Sequence, residues 1–161
     1  MVMGYPSSLQ PFIDSSIPYN SSGRFLGFFP PETAFDTSKN QILAVEFDTH
    51  SNYWDPSFAH TGIDVNSIIS AANAKWYSHI NSNTTDGSIA NASTSYDSSS
   101  KNLSVFVSYP NDPVFSGNFS VSYVIDLRRI LPRWARIGFS ASTGRLSALH
   151  NLLSWSFSSS F

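Results

Sequence analysis

The chain has 161 residues, no cysteine, a formal net charge of −2 and only 12% charged residues. That length suffices for one domain with a hydrophobic core, and the weak charge gives no electrostatic case for binding nucleic acid or an anionic membrane. The lack of cysteine excludes disulfides, thiolate metal sites and a cysteine nucleophile.

Aromatic residues make up 15% of the chain, including thirteen Phe, and Ser, Thr and Asn are abundant. Such a composition favours strands and turns over helices. Residues 1–22, rich in Pro, Ser and Asn, are predicted to be irregular loop. The opening stretch "MVMGYPSSLQPFIDSS" has neither the basic nor the apolar region of a signal peptide. No run is long enough to span a membrane. Asn20, Asn83, Asn91, Asn102 and Asn118 nevertheless begin Asn-X-Ser/Thr sequons, which lean towards a secretory history. Sequons without a leader suggest that the chain's natural start lies upstream.

"RFLGFF" (24–29) is a short apolar run stopped by Pro30-Pro31. "QILAVEFDTH" (41–50) carries the strongest strand pattern. "HTGIDVNSIIS" (60–70) alternates again, and "AKWYSH" (74–79) is a short candidate strand. Residues 87–110 read as antiparallel strands whose hairpin tip follows Asp97. "NFSVSYVIDL" (118–127) places Val121, Tyr123 and Ile125 on one face and Val124 on the other. "RRILPRW" (128–134) predicts a single helical turn cut by Pro132, and 135–143 and 152–161 are predicted strands. Short strands separated by turn signals predict an all-β antiparallel sandwich. Trp134, Phe139, Trp155 and Phe157 are assigned to its core, and Asp64 and Asp126 to solvent or a turn amide.

The stretch "LAVEFDTHSNYWDPSFAH" (43–60) concentrates Glu46, Asp48, Asp55, His50 and His60. Alternation puts Val45 and Phe47 on one strand face, and Glu46 and Asp48 on the other. A solvated acidic face is one reading. A metal site is the other: two carboxylates on one face repel, and no Lys or Arg lies between residues 40 and 74. Carboxylates, an Asn amide oxygen and a main-chain carbonyl suit Ca²⁺. An imidazole beside carboxylates suits Mn²⁺ or another transition ion.

These motifs resemble those of the legume lectins. "LAVEFDT" matches the family's β signature. "LPRWARIGFSAST" is similar to its second signature, with Arg133 and Ala135 departing from the usual residues. "RFLGFF" and "LLSWSFSSSF" are similar to its glycine-flanked aromatic loop and its closing strand. The resemblance implies a concanavalin-like jelly roll, here a single partial domain over residues 1–161 that lacks its first strands. Poor solubility alone, or dependence on a partner chain, would follow.

It also implies that Glu46, Asp48, Asp55 and His60 hold the transition metal. Asp48, Asn52, Asp55 and the His50 carbonyl would hold Ca²⁺, with Ser70 bonding a metal-bound water. A glycan would meet Asn52, Gly23, Arg24 and His50, together with Leu146 and Ser147 in the loop 144–151. That sugar site departs from the family. His50 replaces a stacking aromatic, Arg24 stands where glycine is usual, and counting back from Pro11 places Met3-Gly4 where an Asp–Gly pair is expected. Weakened or lost sugar binding follows, with a non-binding interaction protein as the alternative. Homo-oligomers and a secretory destination, extracellular or vacuolar, are further implications.

An enzyme is not expected. Related-looking sandwich glycosidases carry Glu-x-Asp-x-x-Glu, whereas here Ser51 occupies the third position and Glu32 is the only other Glu. Retaining hydrolysis needs two carboxylates about 5 Å apart across the scissile bond. There is no G-x-S-x-G elbow, and His79 and His150 have no evident Ser–Asp partners.

Overall fold

The computed structural model describes residues 2–4 by their strand pairing, and residues 17–76, 89–109, 118–145, 147 and 149–160. The strong alternation at 41–50 becomes β2, Ile42–Asp48, once β1 is counted as Val2–Gly4. On one side β2 pairs with β3 (His60–Val65), which pairs with β4 (Ser70–Lys75). On the other side it pairs with β1, and β1 with β8 (Ile137–Gly138). All pairings are antiparallel, and the strand order is β4-β3-β2-β1-β8. A second antiparallel sheet consists of β5 (Asn91–Asp97), β6 (Asn102–Ser108) and β7 (Asn118–Val124).

The two sheets meet through their alternate residues, as the pleat requires. Leu43, Val45 and Ile63 of the larger sheet join Leu103, Val105, Val107 and Val121 of the smaller, with Tyr109 and Ile125 completing the cluster. Each such side chain contributes about 1.5–3 kcal/mol relative to exposure. Phe47, Phe119 and Tyr123 pack on the rim, whereas Val124 points outward and is 69% exposed.

The other face of β2 is buried as well. Ile42 and Ala44 pack against Phe25, Phe29, Ala34 and Ile68 in a second cluster. The run 24–29 reaches them as a 3₁₀ turn, Gly23–Phe25, closed by Leu26 N–H donating to Gly23 O at 2.9 Å. Asn40 ties this layer down. Its amide donates to the carbonyls of Thr33 (2.7 Å), Asp36 (3.1 Å) and Asn66 (3.1 Å). Asn66 in turn accepts Ile42 N–H on its side-chain oxygen at 2.8 Å. One strand therefore separates two apolar layers, and whatever polar groups it carries are carried inward.

Several expectations need correction. Residues 2–4 are not loop but a strand between β2 and β8, because their backbone groups complete the ladder of Ile42–Ala44. The strand after β3 begins at Ser70 rather than Ala74, since the turn at Asn66–Ile69 is short. Residues 77–79 and His79 lie outside the described residues. The segment 135–143 narrows to Ile137–Gly138, and 152–160 forms no strand among the described residues. Trp134, Phe139, Trp155 and Phe157 are exposed rather than core, Trp134 to 82%. Within that segment the one described strand is β8, at the edge of its sheet, and Phe139 meets Trp155 edge to face at 5.5 Å. The predicted helical turn is α1, Leu127–Ile130. Asp126 caps it, accepting Arg128 N–H at 3.2 Å, which agrees with the turn-amide expectation.

The β5–β6 tip depends on Asp97, which accepts Ser100 Oγ at 2.6 Å, Ser99 Oγ at 2.7 Å and Ser99 N–H at 3.0 Å. These bonds, the Ser100 hydroxyl first, hold its carboxyl down to about 2. A lowered pKa gives stability that is present above the ordinary carboxylate range and lost as pH falls through the folded value. Asp97→Ala should therefore lower the Tm near neutral pH, with the gap from wild type closing as pH approaches about 2. A gap independent of pH would show that these bonds do not stabilise the hairpin.

Candidate functional site

The outer face of β2 changes from apolar to acidic along its length. Ile42 and Ala44 are followed on the same side by Glu46 and Asp48. Across the ladder, Ala44 faces Asp64, Glu46 faces Gly62 and Asp48 faces His60. The second apolar layer covers this face, so it is not solvated. Glu46 is 5% exposed, and His60 and Asp64 are 0% exposed. Asp64 is thus corrected from a solvent-facing residue to a fully buried one: it lies on the face that the 23–35 loops and Ser70 cover.

A β-bulge sets the geometry at Asp64. The β3–β4 register shifts between Ile63 and Asp64, bringing Ser70 opposite Asp64. Ser70 Oγ lies 3.0 Å from Asp64 Oδ1 and also contacts Glu46 Oε1. Gly62 makes this crossing possible, because a Cβ there would run into both Ser70 Oγ and Glu46 Oε1. A hydroxyl has a single proton, so Ser70 cannot donate to both carboxyls at once. Asp64 can supply the missing proton: burial, and then repulsion by Glu46, push its pKa well above the ordinary carboxylate value.

His60 Nε2 meets Glu46 Oε1 at 2.9 Å. Burial pushes the imidazole pKa down. The bond to Glu46 and the charges of Glu46, Asp55 and Asp48 outweigh that and raise it overall. Asp48 is pushed up by burial, with Glu46 and Asp55 adding repulsion against the lowering effect of the His50 N–H.

The loop after β2 folds back over these groups. Asp48 Oδ1 accepts His50 N–H at 2.7 Å. Asp55 Oδ2 accepts Asn52 N–H at 2.8 Å and Asn52 Nδ2 at 2.9 Å. Trp54 anchors the loop by stacking on Phe25 with ring centroids 6.0 Å apart.

Among the described residues, no three His, Asp or Glu side chains converge closely enough to form a ready-made metal cage. The donor set still fits divalent ions. Glu46, Asp48 and Asp64 are buried with no basic partner but His60 among the described residues. The buried atoms His60 Nδ1 and Asp64 Oδ2 have no hydrogen-bond partner in the structure. Buried carboxylates are costly unless paired or bound to a cation, and these are hard oxygens beside an imidazole.

Beside this loop lies an open pocket of about 430 Å³. Gly23 and Arg24 line it with Ser22; His50 and Asn52 come from the loop after β2; Thr143, Gly144 and Arg145 close it. Two bonds fasten the segment 140–145 to the 3₁₀ turn: Ser140 Oγ donates to Leu26 O at 2.6 Å, and Ser142 Oγ to Gly23 O at 2.8 Å. Gly23 has a φ of +62°, and a Cβ on it would sit 3.3 Å from Gly144 Cα, so glycine permits the approach.

The structure thus brings Gly23, Arg24, His50 and Asn52 together. Ser147 is exposed and outside the pocket lining, and Leu146 lies outside the described residues. Met3-Gly4, counted as a binding loop, belongs to strand β1. Gly144 and Arg145 fall in the loop 144–151 expected to meet the sugar, although the residues named in it were Leu146 and Ser147; Thr143, one position earlier, was missed.

An antiparallel sandwich with a polar pocket beside a buried acid–imidazole loop defines a class of binding protein. Comparison with known proteins identifies which one. A family model, the legume lectin domain, matches residues 7–161. Lectin 7 of Medicago truncatula is 50% identical over 159 residues, covering 95% of this chain and 58% of its own length. The solved metal-free form of lectin I-B4 from Griffonia simplicifolia superposes with a TM-score of 0.72 at 39% identity, covering 90% of this chain and 56% of that one. The Bauhinia forficata lectin in complex with GalNAc gives a TM-score of 0.68 at 38% identity, covering 89% and 56%. The chain belongs to the legume lectin family, whose members bind carbohydrate and are not enzymes. It spans a little over half the length of these relatives.

Gly62→Ala should displace Glu46 or Ser70 and cost roughly 1–3 kcal/mol, as overpacking does, measured by urea denaturation. Gly138→Ala, whose Cβ would meet nothing within 4 Å among the described residues, is the control. Equal stabilities of the two variants would show that the crossing at Gly62 has room to spare.

Proposed function

We propose that this chain binds carbohydrate in the pocket between the 3₁₀ turn, the loop after β2 and the segment 143–145, with divalent metal ions ordering that loop. One observation carries the reading. Asn52 and His50 line the pocket from a loop tied to buried Asp48, one of three buried carboxylates on β2 and β3 whose only basic partner among the described residues is His60. Glu46, Asp48, Asp55 and His60 would hold a transition ion such as Mn²⁺, and Asp48, Asn52, Asp55 and the His50 carbonyl would hold Ca²⁺. The ions supply charge compensation and loop rigidity, not reaction chemistry. The chain's own part is to present Asn52 and main-chain amides in fixed directions, so that ordering costs are met before the ligand arrives. A metal-free form is described for the Griffonia lectin, and a GalNAc complex for the Bauhinia lectin. Both support this reading.

Arg24, His50 and Met3 depart from the family pattern, and they favour weak binding to ordinary neutral sugars. The relatives' family is typically secreted or vacuolar, and a secretory destination is proposed for this chain too. Among the described residues no helix is long and apolar enough to cross a membrane.

A second reading is favoured by exposed apolar groups: Trp134, Trp155, Phe157 and Leu149 lie open on the surface. Patches of this kind mark association surfaces, and pairing into homo-oligomers would cover them.

Stripping the chain with chelator and then adding Ca²⁺ and Mn²⁺ tests the main reading. Saturation at a hundred times Kd should stabilise by about 2.7 kcal/mol, raising the Tm by roughly 5–10 °C. Glycan-array binding should disappear in chelator. An unchanged Tm, with array binding indifferent to metal, would contradict it.

A further inference from the structure

The pocket's charge identifies the kind of sugar it suits. Arg24 and Arg145 both line it together with His50, and no Asp or Glu is among its lining residues. Among the described residues, neither arginine is paired with a carboxylate. The nearest acids are turned to other partners: Asp48 accepts His50 N–H, and Asp55 accepts the Asn52 amides. Arg24 is held by aromatic rings rather than by an acid. Its guanidinium carbon lies 5.1 Å from the Phe25 ring centroid and 5.8 Å from that of Trp54. Cation–π contact of this kind engages the guanidinium without using its N–H donors.

The pocket is therefore rich in donors and poor in acceptors. A neutral sugar presents hydroxyl protons that need acceptors, and the lining offers uncharged ones: the Ser22 and Thr143 hydroxyls, the Asn52 amide oxygen, main-chain carbonyls and, when the imidazole is neutral, one His50 ring nitrogen. A carboxylate needs donors alone. It also matches the planar fork of an arginine, which a hydroxyl does not.

We propose that the ligand is an acidic glycan, one whose terminal sugar is a uronic or sialic acid, with its carboxylate placed between Arg24 and Arg145. The proposal rests on the sugar-binding reading above. It assigns a selective role to Arg24, which otherwise stands only as a departure from the family pattern. It also gives a role to Arg145, within the loop 144–151 that the resemblance assigned to the sugar. The fastening of 140–145 to the 3₁₀ turn through Ser140 and Ser142 is what brings the two cations to one pocket. Because both arginines are solvent-exposed, the preference should be screened by salt.

The test is calorimetric titration of the metal-loaded full chain with a glucuronic-acid-terminated oligosaccharide, its methyl ester and the matching glucose-terminated compound. The acid should bind roughly tenfold more tightly than the other two at low salt. That ratio should fall towards one in Arg24→Ala, in Arg145→Ala and at high salt. Binding of all three ligands with equal affinity, or a ratio unmoved by both substitutions, would overturn the acidic-sugar assignment and leave the sugar site standing. Binding of none of them, by wild type with metals present, together with a silent glycan array, would overturn the sugar site itself and the assignment with it.

Discussion

Burying carboxylates without a basic partner is the constraint on which the rest of this structure turns. Glu46, Asp48 and Asp64 sit on the covered face of β2 and β3, and among the described residues only His60 answers them directly. Lysine or arginine could not have been recruited locally, because none occurs between residues 40 and 74. The chain meets part of the cost internally. Ser70 bridges Glu46 and Asp64, and burial with repulsion by Glu46 raises the Asp64 pKa, which favours its neutral form. The unpartnered His60 Nδ1 and Asp64 Oδ2 show that this internal solution is incomplete. In the proposed reading divalent ions would complete it, and the same ions would stiffen the loop that floors the pocket.

The architecture that imposes this burial also builds the pocket. β2 carries the sandwich core on one face and the Phe25–Phe29 layer on the other. That second layer needs the 3₁₀ turn at Gly23–Phe25, and the turn places Gly23 and Arg24 beside the loop after β2. Packing, acid burial and pocket formation are thus consequences of a single decision: to cover both faces of one strand. Small residues make the joins. Gly62 lets Glu46 meet Ser70, and Gly23 lets the segment 143–145 approach.

Much of this was legible in the sequence because it depends on short-range pattern. Period-two alternation in "LAVEFD" placed Val45 and Phe47 opposite Glu46 and Asp48, and the Asp97 turn marked the hairpin. The scarcity of Glu and the missing cations pointed to the loop 43–60. What could not be read depends on distant segments. Asp64 alternates with apolar residues as a surface residue would, and only the loops folding over β3 bury it. Val2–Gly4 carries no strand pattern of its own and is a strand because β2 and β8 flank it. Arg145 joins the pocket through two serine bonds to a turn more than a hundred residues earlier in the chain. The aromatic residues of 134–157 were assigned to the core on hydrophobicity alone, which names residues suited to burial but not the surface that would bury them.

The central claim is that the acid–imidazole loop is a divalent-ion site, and elemental analysis tests it most directly. The folded chain, loaded with Ca²⁺ and Mn²⁺ and then dialysed free of excess, should retain both ions in proportion to protein. Asp48→Asn, which alters one of the two carboxylates assigned to both ions, should lose both together. Protein that is folded by circular dichroism yet retains neither ion would contradict the account.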